Sequence, residues 1–421
     1  MDGSTRRILT THVGSLIRPP ELVALHQARR EGRAVDQKQF DRVLQQSVTR
    51  IIGQQVEAGI DYISDGEIGK NIGWARYVLE RLAGFERRPT DEGMPLTVIG
   101  RDRRDFAEFY KEYDASNDTT GMRGWVVTGP IEYRGLADLR RQLAIYQTAL
   151  KGLKPKGAFM PAVSPASVAP DRKDEYYKSK EKCLAAIAEA LRIEYRAIVD
   201  AGFILQVDDS YLPSMYDVIV PPGKLRDYRR WAAAMVEVIN HALQGIPEDK
   251  VRFHICWGSW NGPHTNDVPL RHLVDILLKI KAQAFSIEMA NPRHEHEWQV
   301  FKEVKLPRNK LLLPGCISHA TNIVEHPELV AERIVRLAKL VGRENVIASS
   351  DCGFAAQGPF VARTHPTIQW AKLNSLVQGA RLATKALWPK PKRGITANRA
   401  RSGESNAARA SRPPKTRSRF T

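Results

Sequence analysis

The chain has 421 residues, 43% of them hydrophobic and 26% charged, with a formal net charge of +17. This is enough apolar material for one large α/β barrel or two ordinary domains, and it excludes a chain that is disordered throughout. The charge is uneven: residues 389–421 hold ten Lys or Arg against one Glu, a net +9 that leaves +8 on the 388 residues before them.

In chain order the first predicted strand is 8–15, ILTTHVGS. It follows an N-terminus, MDGSTRRI, with no apolar signal segment. No apolar run reaches the roughly eighteen to twenty residues of a membrane span, so no membrane partner is expected and the expected location is the cytoplasm. A second strand is predicted at 60–67, IDYISDGE, followed by a long segment at about 84–150. That segment contains the charged RDRRDFAEFYKEYD and the apolar WVVTGPIEY and reads as an insertion forming a hairpin and helix over the mouth of the fold. Six more β-rich runs follow: 157–164 (GAFMPAVS), 203–209 (FILQVDD), 251–257 (VRFHICW), 284–290 (AFSIEMA), 311–318 (LLLPGCIS) and 345–352 (NVIASSDC). Helical patterns separate them: EKCLAAIAEALRIEYRAIVDAG, PLRHLVDILLKIKA and HPELVAERIVRLAKLVG, the first and last ending in a stop glycine. Eight strands alternating with helices predict parallel pairing and an α/β fold, a (β/α)8 TIM barrel over residues 1–388 with an insertion after strand two. The tail 389–421 is rich in Arg, Ser, Ala and Pro and nearly free of large apolar side chains, so it is expected to be disordered. A solvated extension is the preferred reading of it, ahead of nucleic-acid contact.

Four cysteines, Cys183, Cys256, Cys316 and Cys352, are too few for a disulfide scaffold and read as thiols. Strand alternation puts His254 and Cys256 on one face. The sixth strand ends with Glu288 and the eighth with Cys352, so four ligand-type residues come from the same end of strands five, six and eight. A set of imidazole, thiolate and carboxylate favours zinc over magnesium or calcium. The competing reading makes the cysteines small core hydrophobes and Glu288 a cap or ion-pair partner, and it leaves an anionic residue in an apolar strand unexplained.

Six motifs, TTHVGS, DYISDGE, ILQVDD, HICWG, SIEMAN and SSDCGF, occur in this order. Over residues 8 to 380 the chain resembles the C-terminal catalytic barrel of the cobalamin-independent methionine synthase family. The resemblance implies Zn2+ held by His254, Cys256, Glu288 and Cys352, joined by a substrate thiol. It implies that Val13 and Ser15, with Glu67 and Asp208, hold the amino acid part of homocysteine. It further implies that His319, in GCISHATN, supplies the proton for a poor leaving group. A zinc-bound thiol is deprotonated yet still nucleophilic, which is what methyl transfer from a folate or corrinoid-bound donor needs.

Three departures bear on that reading. One barrel stands where the full-length enzyme has two, Asp208-Asp209-Ser210 replaces Asp-Glu-Pro, and Met160-Pro161-Ala162-Val163 replaces Thr-Gly-Pro-Val. The thiol-activating half matches and the donor half does not. The leading expectation is therefore a zinc-dependent thiol alkyltransferase of methionine biosynthesis, with homocysteine as the favoured small-molecule thiol. The alternative resembles epoxyalkane:coenzyme M transferase, a single-barrel relative; there a sulfonate-bearing thiol would want a cation, such as Lys70 or Arg76. A non-enzyme reading, a zinc-stabilised nucleic-acid-associated protein, is disfavoured by the carboxylate ligand.

Overall fold

Each of the eight β-rich runs contains a strand, and two further strands lie in the segment between the second and third. In chain order they are β1 (Leu9–Thr10), β2 (Tyr62–Ile63), β3 (Phe85–Arg87), β4 (Trp125–Val127), β5 (Gly157–Val163), β6 (Ile204–Asp209), β7 (Val251–Ile255), β8 (Ala284–Ile287), β9 (Leu311–Ile317) and β10 (Ile347–Ser350). This is a computed structural model, and it describes residues 1–70, 76–88, 100–116, 125–168, 173–355 and 364–389. The basic tail from 390 onward, parts of the expected insertion (89–99 and 117–124) and the Arg76 side chain lie outside the described residues.

Eight strands form one parallel sheet in the order β1-β10-β9-β8-β7-β6-β5-β2. Its two end strands meet: the Asp61 amide donates to the Thr10 carbonyl at 3.1 Å, and the Thr11 hydroxyl donates to the Tyr62 carbonyl at 3.0 Å. The sheet is thus a nearly closed barrel, as the strand-helix alternation predicts. β3 and β4 pair antiparallel outside it, Phe85 opposite Val127, with helices Arg101–Asp105 and Ala107–Ser116 between them in sequence. No helix among the described residues is long and apolar enough to cross a membrane.

The helices begin and end where their sequences direct. Lys180–Asp200 starts on the Ser179 hydroxyl, which accepts from the Lys182 amide, and buries Leu184, Ile187, Leu191, Tyr195 and Ile198 on one face. Pro327–Val341 has proline in its first turn and stops at Gly342, whose φ of +90° only glycine adopts freely. The expected helix at 269–282 is instead a turn of 3-10 helix (Leu270–His272) and a short α turn (Val274–Leu277). Its apolar residues are nonetheless buried, Leu270, Leu273, Val274, Leu277 and Ile280 among them. Tight turns bring every third residue to one side, so the hydrophobic spacing does not distinguish them from a continuous helix.

Inside the barrel, polarity rises along the strands. Leu9, Tyr62, Phe159, Ala284, Leu311, Leu313 and Ile347 make an apolar cluster at the strand beginnings. The next layer holds Arg252, fully buried, which donates to Thr11 Oγ1 and the His12 carbonyl at 2.9 Å each and lies 4.0 Å over the Phe159 ring. Opposite it in register is Gln206, and two residues on, Asp208 faces His254. The C-terminal strand ends are where the chemistry collects.

Candidate active site

β7 and the turn after β10 bring three ligand-type side chains to one point. One ligand atom each from His254, Cys256 and Cys352 lies within 4.8 Å of the others, and all three residues are buried. The Cys256 amide donates to the Asp209 carbonyl at 3.2 Å, carrying the β6–β7 pairing one residue further and fixing where its thiol sits. Neither ring nitrogen of His254 has a hydrogen-bond partner of normal geometry, although both are buried. An unpaired buried nitrogen costs about 1–3 kcal/mol, which a bound cation would relieve.

The two thiols act as a pair. Cys256 keeps its proton because it donates to Cys352 and is buried, which pushes its pKa well above the usual thiol value. Cys352 is lowered well below that value, chiefly by accepting from Cys256, with burial opposing and His254 and His319 assisting. The Ser259 hydroxyl also donates to Cys352 Sγ at 3.1 Å. For His254, burial works against the charged ring, but the close approach of Cys352 as a hydrogen-bond acceptor, with the Cys352 and Asp208 charges, prevails and raises its pKa.

Glu288, just past β8, is not within the 4.8 Å group. Its carboxyl is buried; Oε2 accepts from Asn291 Nδ2 at 2.9 Å, and Oε1 has no partner. Burial first, then the charges of Asp351 and Cys352, push its pKa well above the carboxylate range. An imidazole in no hydrogen bond of normal geometry, two adjacent thiols and a carboxylate oxygen with nothing to bond suit zinc in donor type and softness.

Asp351 supports this cluster from behind. Its Oδ1 accepts from the Met289 and Ala290 amides at 2.8 Å each, and its Oδ2 from Asn291 Nδ2 at 3.1 Å. The turn carrying Glu288 is thereby fastened to the turn carrying Cys352. Gly315 leaves the space, since a Cβ there would overlap the Asp351 carboxylate. On the other side Ser15 Oγ accepts from the Ala355 amide at 3.3 Å, and its carbonyl from Phe354 at 2.8 Å.

Seven of the nine nominated residues, Val13, Ser15, Glu67, Asp208, His254, Cys256 and Cys352, line one cleft, together with Asp209, Ser210, Ser259 and Gly353. Glu288 and His319 are not among its lining residues. His319 is buried on the turn after β9, near enough for its charge to act on Cys352, and its carbonyl accepts from Thr364 Oγ1 at 2.8 Å. Asp208 accepts from Gln206 Nε2 at 2.7 Å, and burial together with the Glu67 charge pushes its pKa up to about 8. Asp209 serves the fold: Ser164, Ser167 and the Tyr211 and Leu212 amides all donate to it. The expected pair of carboxylates, Glu67 and Asp208, is partly neutralised, because Lys70 Nζ lies 2.6 Å from Glu67 Oε2 with both residues buried. Ser259, Gln206 and Asp351 escaped the sequence reading. Only Asp351 left a signal, its place beside a nominated cysteine.

The fold and this cleft define a single-barrel catalytic domain with a soft-metal donor set at its C-terminal face. Residues 166–369 match the family described as the catalytic domain of cobalamin-independent synthase. The chain is 24% identical over 384 residues to 2-hydroxypropyl-CoM lyase of Xanthobacter autotrophicus, covering 84% of this chain and 89% of that protein. It is 24% identical over 381 residues to methionine synthase of Thermococcus kodakarensis, covering 90% and 94%. In fold it is similar to a B12-independent methionine synthase from Shewanella sp. W3-18-1, solved with selenomethionine, at a TM-score of 0.65 and 19% identity over 90% of this chain and 99% of that one. The resemblance to the cobalamin-independent methionine synthase family and its single-barrel relatives therefore extends from six motifs to most of the barrel.

Proposed function

We propose that this enzyme is a zinc-dependent thiol alkyltransferase. The observation that carries the reading is the convergence of His254, Cys256 and Cys352 within 4.8 Å at the head of the cleft, with neither His254 nitrogen in a hydrogen bond of normal geometry. His254, Cys256, Cys352 and Glu288 are the residues that would hold zinc. When bound, zinc lowers the pKa of a coordinated thiol and leaves it nucleophilic.

The chain's own residues do the rest. Ser259 steadies the Cys352 sulfur, and Asn291 with Asp351 holds the Glu288 turn. Asp208, Ser15 and Ser210 line the cleft where the acceptor's distal end would lie. His319, buried near Cys352, would deliver a proton to the group that departs from the alkyl carbon. Methyl transfer to homocysteine, from a folate or corrinoid-bound donor, is the reaction that the named methionine synthases suggest. Asp208 is the carboxylate it would use. The coenzyme M relative suggests a second reading, a thiol without an amino group opening an epoxide, and the Glu67–Lys70 pair favours it.

The test is metal analysis of the purified protein, expected to give about one zinc per chain, followed by zinc-edge X-ray absorption with added thiols. A new zinc–sulfur bond on adding a thiol supports the reading. A zinc shell that no thiol alters, or a protein that never takes up zinc, overturns it in favour of a structural or nucleic-acid-associated role.

A further inference from the structure

We infer that Lys70 is an internal ammonium that occupies Glu67 and so sets the acceptor class: the substrate thiol carries no ammonium at its distal end. The inference rests on the thiol alkyltransferase reading and concerns the other end of the same substrate.

A primary ammonium has three N–H donors. Those of Lys70 have three surrounding acceptors: Glu67 Oε2 at 2.6 Å, the Pro161 carbonyl at 2.9 Å and the face of the Tyr77 ring, whose centroid is 4.2 Å away. Carboxylate, carbonyl and aromatic face are the groups that recognise an alkylammonium. Here the chain's own side chain fills that cage. Lys70 and Glu67 are each 4% exposed, so the pair is not an incidental surface contact. Arg18 Nη2 donates to the carbonyls of both Glu67 and Lys70, at 2.9 and 3.1 Å, and fixes the turn that joins them.

The second oxygen of Glu67 lies beside Gly14. Gly14, at φ +140°, brings its backbone so close that a Cβ would stand 2.7 Å from Glu67 Oε1. Oε2 is thus held by Lys70, while Glu67 itself still lines the cleft. Of the two carboxylates expected to receive an ammonium, Asp208 alone keeps its place without a cation bonded to it. Nor does Lys70 itself serve an anionic substrate, since it lies behind Glu67 and is not among the residues lining the cleft. An amino acid thiol would bring a second ammonium to a wall whose first is built in.

The experiment compares homocysteine with its desamino counterpart, mercaptobutanoate, which differs only in lacking the ammonium. Binding to zinc-loaded full-length protein is measured by calorimetry, with zinc–sulfur bond formation followed at the zinc edge. Wild type is expected to bind mercaptobutanoate at least as tightly as homocysteine. Lys70→Met releases Glu67 and is expected to shift the preference toward homocysteine by tenfold or more, the effect of one charge-assisted hydrogen bond. Glu67→Gln with Lys70→Met removes both charges and is expected to abolish that shift, and it serves as the comparison if the single variant does not fold. A wild type that prefers homocysteine tenfold, or a folded Lys70→Met with an unchanged ratio, overturns the inference and leaves the thiol alkyltransferase reading standing. Failure of both thiols to form a zinc–sulfur bond overturns that reading and the inference together.

Discussion

Cys256 donates to Cys352, and losing either sulfur leaves the other thiol and His254 without a close partner. Cys256→Ser and Cys352→Ser are therefore each expected to lower zinc content from about one per chain to a small fraction, as metal analysis after dialysis would report. Full occupancy in both variants would remove these cysteines from the ligand set. Asp351→Ala tests the support behind them. It strips the acceptor from two buried amides and from Asn291, at about 1–3 kcal/mol for each group left unpaired. The expected outcome is a lower melting temperature together with a zinc affinity weakened roughly tenfold to a hundredfold, the usual scale for losing such a support. The ligand types were legible in the sequence because strand alternation and strand ends are local patterns: His254 and Cys256 two apart, Glu288 and Cys352 at strand exits. Asp351 and Lys70 were not, because what they do depends on Met289, Ala290 and Pro161, residues 62, 61 and 91 positions away. Lys70 was read as a cation for a substrate and turned out to be engaged with Glu67.

Among the elements, helix Pro327–Val341 depends on two contacts that can be tested separately. Its Arg333 forms a bidentate pair with Glu295, 3.0 Å for each bond, and donates to the Cys316 carbonyl at 3.0 Å. The Arg333 hydrogen bond outweighs burial and holds the Glu295 pKa below the usual carboxylate value. A depressed folded pKa means that the stabilisation is complete above the unfolded value of about 4.3 and is lost as pH falls through the lower folded one. Glu295→Gln is thus expected to melt earlier than wild type at neutral pH and to converge with it in acid. Melting curves across that range decide the matter, and a gap that persists undiminished at low pH would show that the pair is not what the substitution removed. On the other face, helix Pro366–Leu387 packs so closely at Gly379 that a Cβ would overlap Val330 and stand 2.9 Å from the Pro327 carbonyl oxygen. Gly379→Ala is expected to destabilise by about 1–3 kcal/mol through overpacking, visible as an earlier thermal transition. The elements themselves were largely readable, since alternation and helix caps act over a few residues. The break at 273 was not, because 3-10 and α turns bury nearly the same positions.

For the molecule as a whole, the basic tail is the feature whose reading rests on composition alone. Deleting residues 389–421 is expected to leave zinc content and thiol binding nearly unchanged and to reduce adsorption to nucleic acid at low salt, since polycation binding weakens as salt rises. A tenfold loss of thiol affinity on truncation would assign the tail a part in the site. The barrel has a further consequence for how the proposed zinc would be acquired. Asp351 fastens the Glu288 turn to the Cys352 turn, and Ser15 fastens the far side of the Cys352 turn to the beginning of the chain. Three of the four proposed donors, His254, Cys256 and Cys352, therefore stand together on a frame held by the fold's own hydrogen bonds. In such a protein the ion is a guest and not a keystone. Chelated protein should keep its circular dichroism and a cooperative, though lower, melt, unlike small domains that unfold when stripped. The same preformed socket should admit cobalt by simple exchange, giving a coloured form in which each sulfur can be watched by its own absorption.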